Sequence, residues 1–95
     1  MAKVKVYRTS GPSSYSTGGF TFDATDFKKV NRALVGIEND SAGNYHVEWS
    51  VSGNTITIKV STISADTSTG AISATEVSDG TDLSSLYFDI VVEGV

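Results

Sequence analysis

The sequence predicts an all-β domain, a six- or seven-stranded antiparallel β-sandwich or small barrel. Three observations carry that prediction. Apolar and polar residues alternate with period two along most of the chain, the pattern of strands with one face buried. Clusters of Gly, Ser, Asn and Asp punctuate these runs at the short spacings of sandwiches and barrels. Serine and threonine make up about a quarter of the residues, and threonine in particular suits the solvent face of a sheet.

The elements follow in chain order. Lys3 to Arg8 sets Val4 and Val6 on one face against Lys3, Lys5 and Tyr7 on the other. Its lysines are the kind of charge that guards a sheet edge, so an edge strand near an interface is expected there. Gly19 to Asp23 alternates through Phe20 and Phe22. Asp23-Ala24-Thr25-Asp26-Phe27 has the capping residues of a turn or of one helical turn near residues 25–30. Val30 to Ile37 reads two ways, as a helix stacking Phe27, Val30 and Leu34 or as a strand alternating Ala33, Val35 and Ile37. The β-branched residues and Gly36 favour the strand. From Tyr45 to Val51 the inward set is Tyr45, Val47, Trp49 and Val51. From Asn54 to Val60 it is Ile56, Ile58 and Val60. Gly53-Asn54 between these two runs is a tight hairpin signal whose turn needs positive φ. A weaker strand is expected within 70–77, through Ala71-Ile72-Ser73, and a closing strand over 85–92 points Leu86, Phe88, Ile90 and Val92 inward. Loops are expected at 10–18, 38–44, 65–70 and 78–83.

Residues 1–95 form one domain: the length accommodates a single core and no second one, and no linker or internal repeat interrupts it. A self-standing gene product is the expectation. With 39% hydrophobic and 19% charged residues the chain lies within the globular range. No apolar run approaches the roughly 20 residues of a membrane span, and the N-terminus lacks the apolar stretch of a secretory signal. The absence of cysteine excludes disulfides, thiolate metal sites and cysteine nucleophiles. A net charge of -4, with seven scattered basic residues, lacks the footprint of nucleic-acid binding.

Catalytic chemistry has little to build on. His46 is the single imidazole, placed on the outer face of its strand, so no hydrolytic triad and no histidine metal site is expected. Asp79-Gly80-Thr81-Asp82 with Glu76 is the one acidic cluster. It lacks the spacing of a calcium loop, and aspartates capping a turn are the simpler reading. Glu38 and Glu48 form no specific carboxylate pair, and Gly18-Gly19 leads into a strand where a phosphate loop would lead onto a helix. Asn39-Asp40-Ser41 is a formal glycosylation sequon that carries no weight without an export signal. The expectation is a protein that is not an enzyme and uses no cofactor. Its aromatics suit contact instead: Tyr7, Tyr15 and Tyr87 as exposed interface residues, and Trp49 as the central core aromatic. The alternative is a carbohydrate- or host-surface-binding module using Tyr45, Trp49 and His46.

The run Val51-Ser52-Gly53-Asn54-Thr55-Ile56-Thr57-Ile58-Lys59-Val60, then Asp79-Gly80-Thr81-Asp82-Leu83 and the closing strand, resembles small structural proteins encoded beside capsid genes in tailed bacteriophages and archaeal viruses. The opening Lys3-Val4-Lys5-Val6-Tyr7-Arg8 and Gly18-Gly19-Phe20-Thr21-Phe22 are similar in style. The resemblance implies a capsid decoration, vertex or minor virion protein, made in the host cytoplasm and residing in the virion. It further implies assembly with copies of itself, as a trimer or pentamer, and binding to a viral capsid protein. Members of this kind often carry an arm to a neighbour, and residues 10–18 are the candidate segment.

Overall fold

The computed structural model describes residues 3–40, 44–65 and 68–95. They form seven strands: β1 (Lys3–Ser10), β2 (Phe20–Asp23), β3 (Val30–Ile37), β4 (Tyr45–Ser52), β5 (Thr55–Ala65), β6 (Ile72–Glu76) and β7 (Tyr87–Gly94). Two antiparallel sheets face each other. One has the order β1-β7-β3; in the other, β5 pairs with β4 on one edge and with β2 and β6 on the opposite edge. The ambiguous 30–37 run is therefore a strand, and no described residue is helical. Residues 24–27 make a single turn, with Phe27 N–H donating to the Ala24 carbonyl at 3.0 Å.

The core is the meeting of two central strands. Phe88, Ile90 and Val92 on β7 face Ile56, Ile58 and Val60 on β5, all six shut off from solvent. Their sequence alternation puts these side chains on one face each, and antiparallel partners extend the faces. Val35 and Ile37 lie opposite Ile90 and Phe88 on β3, while Val47 and Val51 lie opposite Val60 and Ile56 on β4. Phe20 of β2 meets Phe88 edge to face, with ring centroids 5.2 Å apart. The β4–β5 hairpin turns where the sequence places it. Gly53 alone has positive φ, at 62°, with Asn54 conventional, the pattern of a turn whose first central residue must be glycine.

Loops close both ends. At one end the 24–29 segment lays Ala24 and Phe27 over the core. It is held by Lys28 N–H and Lys29 N–H on the Val95 carbonyl, and by Ala24 N–H and Val30 N–H on the carbonyls of Asn54 and Gly53. At the other end residues 11–19 run beside 77–86. Gly11 N–H donates to Leu86, Leu83 N–H to Pro12, Tyr15 N–H to Thr81 and Gly80 N–H to Tyr15, all between 2.7 and 2.9 Å. The segment expected to be a free arm is thus a packed cover.

Tyr15 is the clearest departure from expectation: it is 1% exposed and is no interface residue. Its position follows from a gap in the sheet. β2 pairs with β5 from Thr55 to Ile58 and β6 pairs with it from Ser61 to Ala65, so Val60 N–H falls at the join with no strand partner. The Tyr15 hydroxyl accepts that N–H at 3.2 Å and donates to the Glu76 carboxylate at 2.7 Å. Phenol size and reach fit a site that is apolar along its length and polar at its tip. Burial accordingly raises the Tyr15 hydroxyl above the ordinary tyrosine pKa.

Tyr15→Phe is expected to lower stability by about 1–3 kcal/mol in urea unfolding, because a buried N–H loses its acceptor. Tyr87→Phe, at an exposed position, is expected to change it by less than about 0.5 kcal/mol.

Candidate functional site

The register of β1 decides which surface is available for function. Directly opposed residues share a face, and Lys5 and Tyr7 lie opposite Val92 and Ile90, both core residues. The inner face of β1 is therefore Lys3, Lys5, Tyr7 and Thr9. Val4 and Val6 point outward, 65% and 62% exposed. Tyr7, expected as an exposed contact residue, instead half-buries its ring against Phe22 at 4.9 Å, nearly edge to face. Its hydroxyl donates to the Asp26 carboxylate at 2.8 Å. Lys5 pairs with the same carboxylate, and Lys3 donates to the Asp26 carbonyl. The lysine stems span the margin of the core while their ammonium groups gather at its rim. Asp26 is held below the usual aspartate pKa by the Lys5 hydrogen bond first and the Tyr7 hydrogen bond second.

With the valines turned out, the outer face of the β1-β7-β3 sheet has an apolar centre. Val6, Val91 and Leu34 form a row across the three strands, and Val4 lies beside it opposite Glu93. Leu34 is 63% exposed. Val4, Arg32, Ala33, Leu34, Val91 and Glu93 line a shallow depression of about 250 Å³. Charged pairs flank the row on either side. Arg32 makes a forked contact with Glu93 at 3.0 and 3.2 Å, and Arg8 bonds Glu38 at 2.9 Å. The Arg8 guanidinium also lies 4.2 Å over the Tyr87 ring, so Tyr87 is the one expected interface tyrosine that lies on this face, 39% exposed. Alternation alone identifies the two faces of β1 but not which one is buried. The lysines at the start of an edge strand were the available signal.

The other sheet distributes the remaining candidates. Trp49 is in phase with the core, opposite Ile58, but it is not the central core aromatic. It is 36% exposed at the margin, where its indole N–H donates to the Ala33 carbonyl at 2.8 Å and straps β4 to β3. Tyr45 is half-buried on the same inner face, and its N–H donates to the Asp40 carboxylate at 2.9 Å. His46 lies on the opposite face, 3.8 Å from Glu48, so the three residues do not form one platform. A groove of about 180 Å³ on that outer face is lined by Gly18, Glu48, Trp49, Ser50, Thr57 and Lys59.

The acidic cluster caps turns and ties loops. Asp82 accepts from Ser84 N–H and Oγ at 2.9 and 2.6 Å, and Asp79 accepts from Thr17 N–H and Oγ1 at 2.5 and 2.6 Å. Glu76 accepts from Gly18 N–H at 2.7 Å as well as from Tyr15. These donors lower the pKa of all three carboxyls; for Glu76 the Gly18 N–H is the main cause, followed by Tyr15. Among the described residues no group of His, Asp and Glu side chains is arranged to hold a metal ion. Glu38 lies in the turn after β3 and Glu48 on β4 of the other sheet, and the glycosylation sequon includes Ser41, outside the described residues.

Because the folded carboxyl pKa values lie below the unfolded ones, the stability they contribute is complete above the ordinary carboxylate range. It is lost as pH falls through the folded values. The melting temperature is expected to be level from pH 7 to about 5 and to fall below about pH 4. Asp26→Asn is expected to make that fall shallower in a thermal-melt series.

No known protein family, no curated protein and no solved structure matches the chain.

Proposed function

We propose that this protein works by association, as a structural subunit of a larger symmetric assembly. One observation carries the reading: β1 points its valines to solvent and its lysines toward the core margin. A one-residue slip in register would exchange the two faces and bury the valines, so exposing them makes sense when something covers them. The flanking ion pairs give the patch the anatomy of an interface, an apolar centre with a charged rim. The most specific form of the reading is the capsid decoration, vertex or minor virion protein that the sequence resembles, bound to copies of itself and to a viral capsid protein.

A second reading, a glycan- or host-surface-binding module, draws on the exposure of Trp49 at the margin of the β4-bearing sheet. A glycan screen that returned binding lost in Trp49→Ala would favour it.

Light scattering across a concentration series tests the primary reading. The expected result is an oligomer whose mass falls in Val6→Lys and Leu34→Lys, while the melting temperature of the dissociated form changes by only a few degrees, since both side chains are exposed. A wild-type protein that is monomeric at every concentration and does not bind a shell protein would overturn it.

A further inference from the structure

The β5–β6 hairpin extends past the body of the sandwich. The eight-residue strands of the body span about 26 Å, whereas β5, with eleven residues, reaches about 36 Å. The molecule is 52 Å long, and its radius of gyration of 14.6 Å exceeds the roughly 12 Å of a compact chain of this length. β4 accompanies β5 only to Thr62, with one further bond from Ile63 N–H to the Asn44 carbonyl. Beyond that point the ribbon has two strands, and Thr62 to Ala65 and Ile72 to Thr75 are exposed on both faces. Ile72 is 76% exposed. A two-stranded ribbon in water is marginal by itself, and a third strand is what stabilises it.

The free edge of β6 also differs from the edges of β1, β2, β3 and β4. β1 carries Lys3, Lys5 and Arg8, and β2 has only four residues. β3 and β4 close on each other through the Trp49 bond. β6 reads Ile72-Ser73-Ala74-Thr75-Glu76, with no lysine, no proline and an unbroken register against β5. Proteins normally protect a strand edge of that kind. Its backbone direction follows from the ladder. Val77 N–H bonds the Val60 carbonyl, so the hydrogen-bonded pairs alternate from there to Thr62 with Thr75 and Ser64 with Ser73. The N–H and C=O groups of Ile72, Ala74 and Glu76 therefore point away from β5.

We propose that β6 pairs antiparallel with β6 of a second copy of this chain, about a two-fold axis at Ala74, joining two ribbons into one four-stranded sheet. Ala74 then faces its own counterpart, and Ile72 faces Glu76 of the other copy, each pair exchanging two backbone hydrogen bonds. Charge favours the self-pair. Asp66 is the single charged residue from 61 to 75, and the register sets no like charges opposite each other. Area favours it as well. Three strands of eight residues cover roughly 370 Å², about half of the 800 Å² or so that each partner contributes to a standard interface, so the valine face needs a second contact to build a stable assembly. In taking the partner to be a second copy, the inference rests on the associative reading, but it uses a separate surface.

The test is the solution mass of Ala74→Pro, Ala74→Lys and Val6→Lys beside the wild type, with circular dichroism and thermal melts on each. Proline at 74 removes an outward N–H and leaves the β5 ladder intact, as edge strands tolerate. Lysine at 74 keeps the N–H but opposes two charges at the axis. The expected result is that both 74 variants fold with near wild-type melts and lose the edge contact, halving the mass of the assembly, while Val6→Lys retains a β6-paired dimer. A wild-type oligomer whose mass neither 74 variant changes, but which Val6→Lys dissociates to monomer, would overturn this inference and leave the valine-face reading intact. A wild-type monomer at all concentrations would overturn this inference, and the associative reading with it when the monomer also binds no shell protein.

Discussion

Strand β5 is flanked by β4 on one side and by two strands in succession on the other, and the backbone N–H at the join between those two must be satisfied from elsewhere. The Tyr15 hydroxyl does this, and much of the molecule is arranged around that bond. Reaching Val60 requires the 11–19 segment to cross the end of the sandwich, which brings Tyr15 N–H and C=O onto the 80–81 backbone and Thr17 onto Asp79. The same hydroxyl donates to Glu76, the last residue of β6, and so fixes where the ribbon leaves the body. A loop rich in Ser and Gly is held in place because one aromatic side chain completes a sheet.

A comparable constraint acts at the opposite corner. β1 is an edge strand whose inner side meets the margin of the facing sheet, where the core thins and solvent is near. Long side chains with polar tips suit such a place: Tyr7 covers Phe22, and Lys3 and Lys5 reach Asp26. Once those positions face inward, the pleat obliges Val4 and Val6 to face out. The exposed apolar row is the geometric counterpart of a well-sealed margin.

The polar chemistry is largely committed to holding loops. Asp26, Glu76 and Asp79 each accept two or more hydrogen bonds from neighbouring segments and Asp82 accepts two from Ser84 in its own turn, which is why their carboxyls ionise more readily than free ones. Apolar surface and an unpaired backbone edge remain exposed. Two such surfaces lie on different parts of the chain, a sheet face on β1, β7 and β3 and a backbone edge on β6. On the associative proposal, the two would link a subunit in more than one direction, as a tiled or ring-shaped assembly requires.

The alternation of apolar residues by itself determined the fold class, a count of six or seven strands, the Gly53 turn and the in-phase core of Ile56, Ile58, Val60, Phe88, Ile90 and Val92, because the period of a strand is a local property of the backbone. It also placed Trp49 on the correct face. What alternation does not contain is which neighbour covers a given face. Trp49 proved marginal because β4 lies at the rim; Tyr15 proved buried because a distant gap in β5 needed an acceptor; Val4 and Val6 proved exposed because β1 borders Asp26. The extension of β5 to Ala65 and the bare edge of β6 were equally hidden, since Ser and Thr serve strands and loops alike until a partner strand pairs with them. Only the packing of the two sheets decided those outcomes, because burial and edge status are relations between segments far apart in the chain.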